Sequence, residues 1–189
     1  IATILGETTI HKRREQLKKI TSGGLGLDDA YRETLSRMAK RGGQSKLGMD
    51  ALMWISRSER PMTSKELCFA LGVEIGSQDV NSQNIPDIKT VLASCLGLVT
   101  VDERSTLRLV HFTFQEYLNS HPDYFGNAYT TLTEICLTYL NHDSVNEISV
   151  DHTSAPKGAP FLEYASTYWG FFVTHGMTEG VKSLVLQLL

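Results

Sequence analysis

Apolar residues recur at helical spacing along most of this chain, and one short stretch near its middle breaks the rule. Tyr31, Leu35 and Met38 fall at i, i+4 and i+7, which is one face of an α-helix. Asp28 or Asp29 is placed to cap that helix, and Lys40-Arg41-Gly42-Gly43 to end it. Leu47, Ala51, Leu52, Trp54 and Ile55 form a second stripe over Leu47–Ser56. This helix must stop by Arg60-Pro61, because proline disfavours helical geometry in the residue before it. Thr63 or Ser64 caps a short third helix, Lys65–Leu71, and Glu66 completes a capping box if Thr63 is the cap. After a polar loop, Gly76–Asn84, Pro86 stands at a first helical turn. Ile88, Val91, Leu92, Cys95 and Leu96 then share one face as far as Gly97.

There the period changes from helical to alternating. Leu98–Val101 and Thr106–Val110 flank the charged turn Asp102–Ser105 and read as a β-hairpin. His111 follows the second strand directly, and Phe112, Phe114, Tyr117 and Leu118 carry the chain into a helix that stops before Pro122. Short helices, a hairpin and a closing helix are the order of a winged helix. The predicted fold class is therefore mainly α: a winged helix of three helices plus a β-hairpin wing, flanked by helical segments. Tyr129–Asn141 and Ala159–His175 read as longer helices with aromatic faces, separated by an irregular Asp143–Lys157. Upstream, Thr8–Ile20 reads as a basic surface helix, and Gly23, Gly24 and Gly26 as a linker; no Gly-Lys-Ser/Thr follows that would make a phosphate cradle. The division this implies is 1–44, N-terminal helices; 45–122, the winged helix; and 123–189, a helical part.

Charge changes what a winged helix would ordinarily suggest. The 189 residues carry 18 Lys+Arg against 21 Asp+Glu, a net charge of −3, which removes the whole-chain electrostatic case for nucleic acid or an anionic membrane. The helix that would read DNA, Pro86–Leu96, offers Lys89 against Asp87, with Thr90 and Ser94 beside them. That is too little to contact base edges and neutralise phosphates, so no nucleic-acid partner is expected. The uncharged run Tyr164–Thr178 has 15 residues, short of the ~20 a membrane span needs. A soluble, cytoplasmic chain is expected.

Candidate chemistry is sparse. Cys68, Cys95 and Cys136 are odd in number, widely spaced and set in apolar helical contexts, the pattern of inert thiols in a reducing compartment. His121, His142, His152 and His175 occupy helix ends or loops without metal-ligand spacing and read as surface histidines. GxxxxGK[ST], GxSxG and GxGxxG are absent, so neither a metal centre nor an enzyme is expected. The chain opens with Ile1 rather than Met and ends in an apolar helical run, Val181–Leu189, and reads as part of a longer protein. His111 stands apart, between a strand and a helix. It is either a hydrogen-bonded packing residue or a side chain aimed at a neighbouring domain.

Ala51-Leu52-Met53-Trp54-Ile55, Glu59-Arg60-Pro61-Met62-Thr63, Glu66-Leu67-Cys68, Leu96-Gly97-Leu98-Val99-Thr100-Val101 and Val110-His111-Phe112-Thr113-Phe114-Gln115-Glu116-Tyr117-Leu118 together resemble the segment after the NACHT nucleotide-binding domain of fungal NOD-like receptors. These are signalling ATPases of the STAND class, often ending in ankyrin repeats. The resemblance spans Leu27 to Gly170, and Leu27-Asp28-Asp29-Ala30-Tyr31 is similar to the last helix of the NACHT module. It implies a regulatory role in non-self recognition (heterokaryon incompatibility) or programmed cell death. An upstream P-loop domain would hold ADP or ATP, and the winged helix would fold over it at rest, with His111 at the position that reaches the β-phosphate of ADP. The implied partners are that NACHT domain and downstream repeats in cis, and further copies of the protein once it is activated. Nothing here supplies the magnesium or γ-phosphate roles, so the segment would hold no cofactor by itself. The alternative is a structural interaction module that holds a repeat array or partner; Phe161, Tyr164, Tyr168, Trp169, Phe171 and Phe172 form a dense aromatic cluster that packs either in the core of this chain or against another domain.

Overall fold

A computed structural model describes residues 26–149 and 158–189; the expected Thr8–Ile20 helix, Gly23, Gly24 and His152 lie outside them. The apolar stripes become helices α1 (Leu27–Ala39), α2 (Gly43–Arg57), α3 (Ser64–Gly72) and α4 (Ile88–Ser94). Strands β1 (Val99–Val101) and β2 (Leu107–Leu109) follow, then α5 (Phe112–Ser120), α6 (Ala128–Leu140), α7 (Asp143–Ser149), α8 (Leu162–Val173) and α9 (Glu179–Leu188). The chain is mainly α-helical, and α2, α3, α4 and the hairpin form a winged helix with helical segments on either side.

Local chemistry explains where the elements begin. The Glu66 N–H donates to Thr63 Oγ1 at 3.3 Å while the Thr63 N–H donates to Glu66 Oε2 at 2.7 Å, the reciprocal capping box at the start of α3. Other boundaries differ from the sequence expectation. Gly26, not Asp28 or Asp29, is the N-cap of α1; the aspartates lie in its first turn, where the helix dipole favours them. Pro86 precedes α4 rather than opening it, because Asp87 Oδ1 accepts from the Lys89 N–H at 2.8 Å and takes the cap. α8 starts at Leu162, later than Ala159, and ends at Val173, short of His175. Part of the expected irregular 143–157 is helix α7; its apolar positions are too few for periodicity to register.

The hairpin pairs Val99 with Leu109, Thr100 with Arg108 and Val101 with Leu107. The Leu107 N–H also donates to the Met62 carbonyl at 2.8 Å, and Thr63 bridges Thr106. The wing is thereby stitched to the entrance of α3, and its end fixes the start of α5.

Two contacts hold the helices around this wing. Gly48 lets α2 approach α4: a Cβ there would lie 2.7 Å from the Ser94 carbonyl oxygen. Trp54, 0 % exposed, sits edge-on against Phe161, Tyr164 and Phe172 at 5.5, 6.1 and 6.3 Å between ring centres. These contacts pack α8 onto α2, while α8 and α9 both run along α6. Arg60 adds a polar clasp, with Nη1 and Nη2 on the Glu66 carboxylate at 3.1 and 2.6 Å and the guanidinium 5.0 Å from the Tyr164 ring centre. Burial pushes the Glu66 carboxyl up, but the bonds from Arg60 and Thr63 outweigh it and hold it below the usual glutamate range.

Candidate functional site at the start of α5

The last rung of the hairpin, the Val110 N–H to the Leu98 carbonyl at 2.9 Å, delivers an extended His111 to the first turn of α5. His111 is the N-cap: its Nδ1 accepts from the Thr113 N–H at 3.3 Å. The same nitrogen lies 2.9 Å from Thr113 Oγ1, which in turn lies 2.7 Å from the Tyr31 hydroxyl. Tyr31 comes from α1 and is held with its ring 4.7 Å from Phe114 and 5.5 Å from Tyr117. The imidazole itself is exposed. Phe112, 67 % exposed, lies beside it at 4.6 Å between ring centres. His111 is thus both hydrogen-bonded and solvent-exposed.

The remaining histidines divide. His121 stacks on Tyr117 at 4.3 Å with its Nδ1 2.9 Å from the Tyr117 carbonyl, and His175 stacks on Tyr129 at 4.6 Å. His142 corrects the surface reading: it is 0 % exposed, with Nε2 3.0 Å from Ser77 Oγ. Burial pushes its pKa below the ordinary imidazole value, and the charges of Asp79 and Asp143 oppose that only in part. The flanking Tyr139 and Val145, each three residues away, are the signal that could have put it inside.

The three thiols are buried. Desolvation pushes Cys68 up to about 11 and Cys95 up to about 12, and raises Cys136 further, so none is a nucleophile near neutral pH. Among the described residues there is no grouping of His, Cys, Asp and Glu that could hold a metal, and no helix long and apolar enough to cross a membrane. A shallow cleft of about 290 Å³, not foreseen from sequence, lies between Arg57, Asn119, Asn127, Thr130 and His175. Arg57 is already committed there to Asn119 Oδ1 at 2.7 Å and the Leu118 carbonyl at 3.2 Å.

The fold thus defines a winged helix with a histidine at the corner between wing and closing helix. Comparison with known proteins agrees on the first point: residues 35–124 match the family model of the winged helix domain of GPI inositol-deacylase. Azaphilone pigments biosynthesis cluster protein L of Monascus ruber is 29% identical over 134 residues, covering 59% of this chain. The match spans 28% of that relative's length. No solved structure matches.

Proposed function

We propose that this chain is the regulatory part of a nucleotide-switched signalling protein of the NACHT type, within the STAND class. In this reading the winged helix folds over an upstream nucleotide-binding domain and holds it closed around ADP. Exchange for ATP breaks that contact, and the protein opens and assembles with copies of itself. The helices after the winged helix couple the motion to downstream repeats, such as ankyrin repeats. The setting is the cytoplasm, and the outcome is fungal non-self recognition or programmed cell death. The segment itself is no enzyme and takes no nucleic acid.

The observation that carries the reading is His111, an exposed imidazole held from behind by Thr113 and Tyr31 at the position where the resemblance expects a phosphate contact. The family match to a winged helix over residues 35–124 supports the frame around it. ADP, when bound, supplies anionic phosphate oxygens. A ring N–H can meet one of them, while the upstream domain would hold the rest of the nucleotide. A charge-assisted hydrogen bond to phosphate contributes ~1.5–3 kcal/mol. If it exists in the closed state alone, its loss raises a small open fraction by roughly 10- to 150-fold.

The test is His111→Ala in the longer protein. Faster ADP release and spontaneous oligomerisation are expected, and unchanged ADP release would overturn the reading. A second reading, a structural module that holds a repeat array, is favoured by Phe171 of the aromatic cluster on α8, which is 39 % exposed. It predicts loss of partner or repeat docking when Phe171 becomes polar, with nucleotide exchange unaffected.

A further inference from the structure

We infer that Tyr31 and Thr113 are positioning residues that fix the proton of His111 on Nε2, so that the exposed edge of the ring is a preset hydrogen-bond donor. Nδ1 has one in-plane lone pair, and the Thr113 N–H points at it from 3.3 Å. A backbone N–H cannot reverse its role, so this nitrogen must be the acceptor in the neutral ring. The neutral ring then carries its hydrogen on Nε2.

The hydroxyl chain behind the ring enforces the same choice. Tyr31 Oη and Thr113 Oγ1 are 2.7 Å apart, and Thr113 Oγ1 and His111 Nδ1 are 2.9 Å apart. Two polarities are available to such a chain. In one, the Tyr31 hydroxyl donates to Thr113 Oγ1 and the Thr113 hydroxyl donates to Nδ1, sharing its one lone pair with the Thr113 amide. In the other, Nδ1–H donates to Thr113 and Thr113 donates to Tyr31, which sets the ring N–H against the Thr113 backbone N–H and makes the phenol, the stronger donor and weaker acceptor of the two hydroxyls, the acceptor. The amide and the phenol both favour the first. Tyr31 is anchored for this task by its ring contacts with Phe114 and Tyr117 and is 9 % exposed. The orientation of an exposed side chain is thus set from the buried face of α1, some 80 residues earlier in the chain.

The consequence concerns what the corner accepts. An Nε2–H is a donor only, so the free edge of the ring is matched to an acceptor oxygen such as that of a phosphate and mismatched to a metal ion or to another N–H. Phe112, at 4.6 Å on the flank of the ring and 67 % exposed, gives that donor an apolar border. The phosphate part of this inference rests on the function proposed above; the placement of the proton does not.

The experiment is long-range ¹H–¹⁵N NMR of the His111 ring in the 189-residue chain at alkaline pH, where imidazoles are neutral, with the signals assigned by their loss in His111→Ala. The wild-type ring is expected to show an unprotonated Nδ1 and a protonated Nε2. Tyr31→Phe keeps the aromatic contacts and deletes the hydroxyl. Thr113→Val keeps the backbone donor and deletes the other hydroxyl. Each removes the bias of the phenol and leaves that of the amide, so each should lower the ratio of Nε2–H to Nδ1–H by about 2-fold, a fraction of the worth of one hydrogen bond, and Thr113→Ser should restore it. A merely structural role for Tyr31 would move the melting temperature and leave the tautomer alone. A wild-type ring protonated on Nδ1, or a ratio unchanged in both variants, overturns the inference. Unchanged ADP release in His111→Ala of the longer protein, with the tautomer shifts intact, removes the nucleotide reading and leaves the proton placement standing.

Discussion

Trp54 and His111 are both ring side chains of the winged-helix region, and they are held in opposite ways. Trp54 is enclosed by Phe161, Tyr164 and Phe172, and its Nε1–H has no partner among the described residues. Among the described residues no directional bond fixes that ring; shape and buried area hold it. His111 buries little and is fixed by bonds, with Nδ1 engaged by the Thr113 amide and hydroxyl and Tyr31 behind them. One region trades polar satisfaction for packing, and the other trades packing for orientation. A fold needs the first kind of residue, and a recognition site needs the second.

If that contrast is right, the largest effect belongs to the packed ring. Trp54→Ala should destabilise the chain by about 3–5 kcal/mol, the usual cost of emptying a large aromatic site, measured by denaturant unfolding. Because the indole N–H has no partner among the described residues, Trp54→Phe should recover much of that loss. Equal losses for Phe and Ala would mean that the indole itself carries the joint.

Next in size is the clasp beside it. Glu66→Gln should cost roughly 1–3 kcal/mol at neutral pH, since Arg60 loses a close charged partner and the start of α3 loses part of its capping box. The Glu66 carboxyl is held below its ordinary value of 4.5, so its contribution is fully present above that pH and is lost as pH falls through the folded value. The stability gap between wild type and Glu66→Gln should therefore narrow below about pH 4.5. A gap that is flat with pH would show that the Arg60 contact contributes nothing beyond packing.

The two regions were not equally legible in the sequence. The Trp54 stripe, the Thr63–Glu66 capping box and the hairpin follow from spacing of a few residues, because each is a local match between side chains and backbone geometry. The aromatic run at 161–172 announced a core, and Phe161, Tyr164 and Phe172 are each 0 % exposed. His111 could be placed at its corner, yet its support could not: Tyr31 and Thr113 lie 82 residues apart, and no local pattern ties a tyrosine on one helix to a threonine on another. His142 was misread for a related reason. Position at the end of α6 suggested solvent, whereas Ser77, from the loop after α3, closes over it.

That misreading gives a smaller, pH-dependent prediction. Burial depresses the pKa of His142 below its ordinary 6.5, so the unfolded chain binds the proton more readily than the folded one. Stability should be fully present above about pH 6.5, fall as the solution is acidified from there, and level off below the folded value. Denaturation midpoints between pH 7 and 5, in wild type and in His142→Phe, would check this. A slope that persists in the variant would assign the proton to another group.

The smallest effect on stability should come from His111 itself. His111→Ala deletes the N-cap of α5 and leaves the Thr113 amide to water, a loss of ~0.5–1 kcal/mol at an exposed cap. In a chain of this size that lowers the melting temperature by no more than about 2–4 °C, well short of the Trp54→Ala loss. The ring contact of His111 among the described residues is with Phe112, which is itself exposed. Thermal unfolding of the two alanine variants side by side decides the contrast. If His111→Ala falls as far as Trp54→Ala, the corner belongs to the core, and its hydrogen bonds serve stability rather than recognition. If it barely moves, the three bonds behind the imidazole are orienting a side chain whose energetic return lies outside the fold of this chain, in whatever that ring meets.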